Sequence, residues 1–487
     1  MSTLASYLLG NAVVQWTLTI SLMLFAMGVG SRLSKNVHTG ILEAFIIAEL
    51  ALSLLTACSA ILVYFLAAFI QPIGPVIYLI SIGIGLLIGL EMPLATRINE
   101  RFEDLRVNIS NILEKDYYGA LAGGLLFAFV ALPHLGLTYT PIILGGINFL
   151  AALVLYYRFK SLLPARKWFP VAFTAVPLAL IAFAWLANPI VLFGEQRQYR
   201  DKVVYAEQST YQRIVLTQWK EDYWLYLNGN LQFSSYDEHR YHEPLVHPAM
   251  SIVPQPRQIL VLGGGDGLAV RELLKYPDIE SITLVDLDPA VVKLAREHPV
   301  LKKINGGSLD HPKVHIVQAD ALHFINESSA LFDVIFIDLP DPKSVDLARL
   351  YALEFYQGVQ KHLTRGGVMI TQATSPFFSK HAFLCILKTI QETGLPTLPL
   401  QEHIPTMGQW GWVLAVNEPG TDISHLKQTL MQTTYSHLDT RYLNHEAAIG
   451  LFQFGKDTLD GFEAIEINSF RSLKLVSYYQ KGAWDFY

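Results

Sequence analysis

Two aspartates three residues apart, Asp338 and Asp341, close the apolar run FDVIFIDLPDP. Such a run reads as a buried strand, and acids at its C-terminal end lie where open α/β sheets bind ligands. Two acids placed there are poorly explained as solvated surface. Upstream, QILVLGGGDGLAVRELLKY reads as a strand, a glycine-rich turn and a helix, and its glycines at 263, 264, 265 and 267 let a nucleoside approach the backbone. Asp286 ends the next strand, SITLVDLDP, about 20 residues on, where an acid can accept from both ribose hydroxyls. A third strand, KVHIVQAD, ends in Asp320, where a carboxylate can meet the exocyclic amine of an adenine. A glycine-rich turn of this kind is shared by dehydrogenases and methyltransferases, so by itself it specifies a nucleoside and not a reaction.

These residues need a Rossmann-like α/β frame, expected over 256–420. Before it, VVYAEQSTYQRIVLTQW and YWLYLNGNLQFSS are β-rich, and Asn228-Gly229 is a turn signal, which predicts a small antiparallel module over 195–255. After it, 421–487 offers no readable chemistry and is expected to serve packing or oligomer contacts.

The first 194 residues differ in kind. They hold ten Lys/Arg and eight Asp/Glu, against 26 and 34 in the remainder. Six stretches are apolar for about 20 residues each, enough to span a bilayer: roughly 11–31, 42–66, 73–94, 118–136, 140–157 and 170–193. The expected architecture is an α-helical membrane bundle followed by the α/β domain, with the lipid bilayer as a partner. Small residues in SIGIGLLIGL and GALAGGLL suit close helix packing. Glu43, Glu49 and Glu91 fall in or beside the spans, as interhelical hydrogen bonders or as groups attracting a cation or proton. Basic residues follow spans one, three and five, among them Arg32, Arg97, Arg101 and Arg158. They mark those loops as cytoplasmic. Six spans then put the second half outside, although Arg197, Arg200 and Lys202 follow the last span; a sixth segment interrupted at Pro177 and Pro189 would restore a cytoplasmic domain in a multi-pass cell-membrane protein. No cleavable leader is evident at the N-terminus. Two cysteines make no disulfide framework, and neither half has the charge of a nucleic-acid binder.

Taken in order, YQRIVLT, LNGNLQFSSYDEHRYHEPLVHPAM, LVLGGGDG, VDLDP, QAD and DLPDP resemble the spermidine synthase family over about 203–416, in the subgroup with an N-terminal multi-pass membrane domain. The resemblance implies a class I methyltransferase-like fold and no tightly bound cofactor or metal. Decarboxylated S-adenosylmethionine would be co-substrate and a diamine, putrescine first, the acceptor. It implies that Gln212 contacts the thioadenosine, Gly263 and Gly265 the nucleoside, Asp286 the ribose, and Asp320 with Ala321 the adenine. Tyr241, His242 and Asp266 would line the aminopropyl and polyamine channel, Asp338 would be the catalytic acid-base and Asp341 would hold an acceptor ammonium. Homo-oligomers are usual in that family. Independently, a donor tail ending in ammonium and a dicationic acceptor call for acids, which Asp237, Asp266, Asp338 and Asp341 supply.

The sequence departs from the family's pattern where Leu339 and Pro340 replace a Ser-Thr or Ser-Ser pair and where IPTMGQWGW replaces a tyrosine-containing segment; there Trp410 or Trp412 either walls the site or packs. Two alternatives stay open: a membrane-tethered methyltransferase using S-adenosylmethionine, and a polyamine sensor or transporter whose soluble domain only binds.

Overall fold

The computed structural model describes residues 1–9, 12–70, 72–100, 104–164 and 166–484 and divides into two units, Met1–Gln208 and Ser209–Tyr487. In the first, apolar composition produces helices: α1 (Ser2–Leu9), α2 (Ala12–Ser34), α3 (Ile41–Ala67), α4 (Gly74–Asn99), α5 (Leu105–Leu126), α6 (Leu132–Arg158) and α7 (Trp168–Gln198), followed by a strand, β1 (Lys202–Gln208).

Five of the described helical segments are long and apolar enough to cross a membrane, and one of them, at 54 residues, is long enough for two crossings. The spans expected at 118–136 and 140–157 fall in one helical run, Leu105–Arg158. Within it Phe127–Ala131 is a π turn, and Gly136 (φ 63°, ψ −169°) breaks the helical geometry. The expected connection HLGLTYT carries no Lys, Arg, Asp or Glu, and in apolar surroundings backbone groups are best satisfied by staying helical up to the break. The interruption expected at Pro177 and Pro189 is likewise absent, since α7 continues through both. Arg101, expected in a basic loop, lies outside the described residues. In SIGIGLLIGL the small residues do bring helices together: a Cβ on Gly89 would lie 2.1 Å from the Met27 carbonyl oxygen. GALAGGLL does not, because the space around Gly119, Gly123 and Gly124 is open. Glu43 meets Arg166 at 3.4 Å and accepts from Trp168 Nε1 at 3.3 Å. Glu49 is buried, and Glu91 Oε1 is buried without a hydrogen-bond partner among the described residues.

The second unit begins with an antiparallel meander, β2 (Arg213–Trp219), β3 (Asp222–Leu227) and β4 (Asn230–Ser234). Asn228 (φ 50°) and Gly229 (φ 77°) are both left-handed, the two-residue turn that twists with its strands. A seven-stranded sheet follows, built from β5 (Gln258–Gly263), β6 (Ser281–Asp286), β7 (Val314–Gln318), β8 (Phe332–Asp338), β9 (Leu363–Gln372), β10 (Thr397–Ile404) and β11 (Gly408–Val416). Its order is β10-β11-β9-β8-β5-β6-β7, antiparallel through β10, β11 and β9 and parallel from β9 to β7, a Rossmann-like mixed sheet. The chain winds from β5 to one side and returns to β8 on the other, so a crevice opens at their C-terminal ends.

Both faces are covered. Along β5, Ile259 and Val261 point to one core and Leu260 and Leu262 to the other, all fully buried. The first core takes α8 (His239–Met250), α9 (Leu268–Leu273) and α10 (Pro289–Glu297), after which α11 (Pro299–Ile304) follows. The second takes α12 (Ala321–Glu327), leads through α13 (Val345–Arg349), and includes α14 (Leu353–Lys361) and α15 (Lys380–Gln391). Two expected boundaries dissolve in these cores. Helix α8, inside the expected small module 195–255, packs Leu245, Val246 and Ala249 under the large sheet. The extension 421–487 forms α16 (Ile423–Gln432), α17 (His445–Gly450) and α18 (Lys474–Gln480) and buries Leu430 and Leu451 in one core and Leu475 and Tyr479 in the other. Each fully buried leucine is worth about 1.5–3 kcal/mol, so this segment is integral to the unit.

Candidate active site

At the crevice the chain leaves β5 through Gly263 (φ 83°) and Gly264 (φ 69°), conformations other residues avoid. A Cβ on Gly263 would stand 2.1 Å from the Asp338 carbonyl oxygen, and one on Gly265 2.5 Å from Asp286 Oδ2. The Gly265 N–H donates to Asp286 Oδ2 at 3.0 Å, and the Asp288 N–H donates to Asp286 Oδ1 at 2.9 Å, so this carboxylate is fixed in direction at the end of β6. Asp288 caps α10 and accepts from Gln212 Nε2 at 3.0 Å and Ser209 Oγ at 2.6 Å, which fixes the Gln212 loop beside the glycine turn. Asp320 caps α12, accepting from the His323 N–H at 2.9 Å, and leaves its other oxygen to an exposed rim above buried Ala321.

The acidic end lies after β8. Tyr241 donates to Asp338 Oδ1 at 2.6 Å. Asp341 Oδ2 accepts from Tyr479 at 2.8 Å, and its other oxygen lies 3.4 Å from Gln372 Nε2. Burial raises the pKa of both acids; Tyr241 and His242 oppose this at Asp338, and Lys343, Tyr479 and Gln372 oppose it at Asp341. Burial also lifts Asp266 to about 6, against the pull of His242. His242 Nδ1 meets the Glu238 carboxylate at 3.0 Å, and Arg271 donates to both oxygens of that carboxylate at 2.9 Å. Burial disfavours the imidazolium, yet Glu238 outweighs it and His242 is pushed up to about 9. A cationic His242 therefore faces Asp266 and Asp338.

One cleft of about 470 Å³ joins both ends, a volume suited to small ligands. Its walls include every site residue expected from the sequence: Gln212, Gly263, Gly265, Asp286, Asp320 and Ala321 around the glycine turn, and Tyr241, His242, Asp266, Asp338 and Asp341 toward the acids. Asp237 is the acid that the crevice does not use; its carboxylate accepts from the Thr406 N–H and hydroxyl, both at 2.8 Å. Leu339 turns into the second core while its carbonyl accepts from Tyr351 and Gln372, which is what a Leu can do in place of a hydroxyl residue. Trp410 walls the cleft, whereas Trp412 is fully buried with its ring 5.4 Å from that of Tyr241. Sequence reasoning missed Asp288, Lys343 and Tyr479. The second Asp of VDLDP was a visible signal for Asp288; nothing local announces the others.

Residues 238–426 match the family described as spermine/spermidine synthase domain. The chain is 41% identical to polyamine aminopropyltransferase 2 of Aquifex aeolicus (strain VF5), over 99% of this chain and 94% of that one. It is 39% identical to the polyamine aminopropyltransferase of Leptospira interrogans, over 98% and 94%. The spermidine synthase of Thermotoga maritima, known from a crystal structure, is 28% identical over 54% of this chain and 88% of that one, with a TM-score of 0.48.

Proposed function

Since the chain belongs to the polyamine aminopropyltransferase family, we propose that it moves the aminopropyl group of decarboxylated S-adenosylmethionine onto putrescine, giving spermidine and methylthioadenosine. The observation that carries this reading is the acidic end of the cleft, where Asp266, Asp338 and Asp341 line a volume that continues to the glycine turn and Asp286. A donor tail ending in ammonium and a dicationic acceptor both find counter-charge there. The cationic side chains nearby, His242 and Lys343, already face Glu238 and Asp341, which leaves S-adenosylmethionine's carboxylate poorly served.

In this reading Asp286 accepts from the ribose hydroxyls, Asp320 and Ala321 receive the adenine, and Gln212 lies along the thioadenosine. The amine must be neutral to attack, although an aliphatic ammonium has a pKa near 10. Asp338 takes its proton, with the Tyr241 hydroxyl bond orienting the carboxylate. The amine lone pair then forms a C–N bond to the carbon beside the sulfonium, and the C–S electrons leave with the neutral thioether. Positioned base catalysis of this kind is worth about 10²–10⁴ in rate, and alignment of the two substrates adds to it. Asp341 holds the far ammonium of the acceptor.

The helical unit is read as a membrane anchor with the catalytic unit on the cytoplasmic side. The five long apolar helices support the anchor, and the cytoplasmic placement rests on where the nucleoside and diamine substrates of this reading are found.

The test is to give detergent-solubilised protein decarboxylated S-adenosylmethionine or S-adenosylmethionine with putrescine, cadaverine or spermidine. The expected result is methylthioadenosine and spermidine from the decarboxylated donor with putrescine. Methylated product from S-adenosylmethionine would replace this reading with the methyltransferase.

A further inference from the structure

Helix α18 lies far outside the matched family segment, which ends at 426. It nevertheless reaches the acidic end of the cleft. Tyr479 is buried (5% exposed), and its hydroxyl donates to Asp341 Oδ2 at 2.8 Å. The segment that delivers it is firmly tied down. Asn468, fully buried, donates from its side chain to the Ala348 carbonyl at 2.7 Å, and its own carbonyl accepts from the Leu353 N–H at 2.8 Å. Beyond the helix, the Trp484 indole lies tilted with its ring 4.8 Å from that of Tyr479 and donates to the Tyr479 carbonyl at 3.1 Å, while the Ala483 N–H donates to the Phe378 carbonyl at 2.7 Å. The ring is thus gripped on both sides of the helix end, and its only polar atom is directed at a cleft carboxylate.

Resting on the aminopropyl-transfer reading above, we infer that Tyr479 is a positioning residue for the acceptor: it aims the Asp341 carboxylate into the cleft, and the C-terminal segment is part of the acceptor site. A charge-assisted hydrogen bond of this length fixes direction as well as charge. Asp341 sits on a loop, three residues past a strand end, and the loop offers it no backbone donor of its own among the described bonds. Lys343 stands with its ammonium 5.7 Å from the Tyr479 ring centroid and donates to Asn230 Oδ1, so it flanks Asp341 without replacing the hydroxyl bond. The other titratable groups near Asp341 are Tyr351, which donates to the Leu339 and Pro340 carbonyls, Tyr241 and Asp338.

The experiment is a double-mutant cycle on the full chain in detergent, with Tyr479→Phe, Asp341→Asn and the pair, reading kcat and both Michaelis constants. Tyr479→Phe is expected to raise the putrescine KM about tenfold or more, as for loss of a hydrogen bond to a charged group, with the donor KM unchanged. Loss of that bond also favours protonated Asp341, so the acid limb of kcat/KM for putrescine moves to higher pH. In the Asp341→Asn background the same substitution should have little further effect. Equal rises in both Michaelis constants, an unmoved acid limb, or a full additive effect in the Asp341→Asn background would overturn the inference while leaving the transferase reading intact. Absence of wild-type turnover would strike the transferase reading first, and this inference with it.

Discussion

A single carboxylate, Asp286, has its orientation set by a glycine's missing side chain. Asp286 accepts from the Gly265 N–H, and there is no room for a Cβ between them. Gly265→Ala is therefore expected to push the carboxylate aside and weaken donor binding by roughly tenfold to a hundredfold, the range for a lost hydrogen bond to a charge; calorimetric titration with the donor would measure it, and unchanged affinity would show that Asp286 does not hold the ribose. At this scale the sequence was most legible where chain direction can be read: Gly263, Asp286, Asp320, Asp338 and Asp341 all end strands or open turns, which places them at the crevice. Tyr479 was not legible, because it stands 138 residues from Asp341 and one tyrosine in an aromatic tail has no period or spacing to distinguish it. Asp237 misled for the complementary reason, since an acid close to others in sequence turns instead to cap the Thr406 loop.

Among the elements, α8 links packing to chemistry. Its buried side brings Leu245 and Val246 into the core, and its first turn presents Tyr241 and His242 to the cleft. Glu238, just ahead of it, pairs with His242 and with Arg271 of α9. Burial works against the Glu238 charge, yet these partners hold its pKa down to about 2, while His242 is held up to about 9. The Glu238 contribution is complete above the ordinary carboxylate value of 4.5 and lost as pH falls toward 2. That of His242 is complete below the ordinary 6.5 and lost as pH rises through 9. Their joint effect is greatest between those ordinary values. Glu238→Gln is expected to cost about 3 kcal/mol, typical of breaking a buried pair, and to flatten the pH dependence of the melting temperature above 6.5; a variant that melts like wild type at both pH 6 and pH 9 would contradict the pairing. This helix was hard to anticipate, because Pro244 and Pro248 argue against helix and its burial follows from the sheet beneath it. The fourth and fifth expected spans share one helical run, and the break between them falls at Gly136.

At the level of the whole molecule the contrast between halves was the plainest signal in the sequence: few charges before 195, an ordinary soluble composition after it. Composition determines what each half can be surrounded by, but not how many times the chain crosses a bilayer, which depends on breaks such as Gly136. The anchor reading predicts that the full chain sediments with membranes, resists alkaline extraction and is released by detergent; release by alkali alone would contradict it. Aminopropyl transfer by a membrane-anchored chain would run through Asp338. The most direct measurement is methylthioadenosine release at saturating donor and putrescine, by wild type and by Asp338→Asn. Turnover is expected to fall by about 10²–10⁴ in the variant, with donor affinity preserved. Equal rates in the two proteins would remove Asp338 from the chemistry, and no release from a wild-type protein that binds the donor would contradict transfer itself.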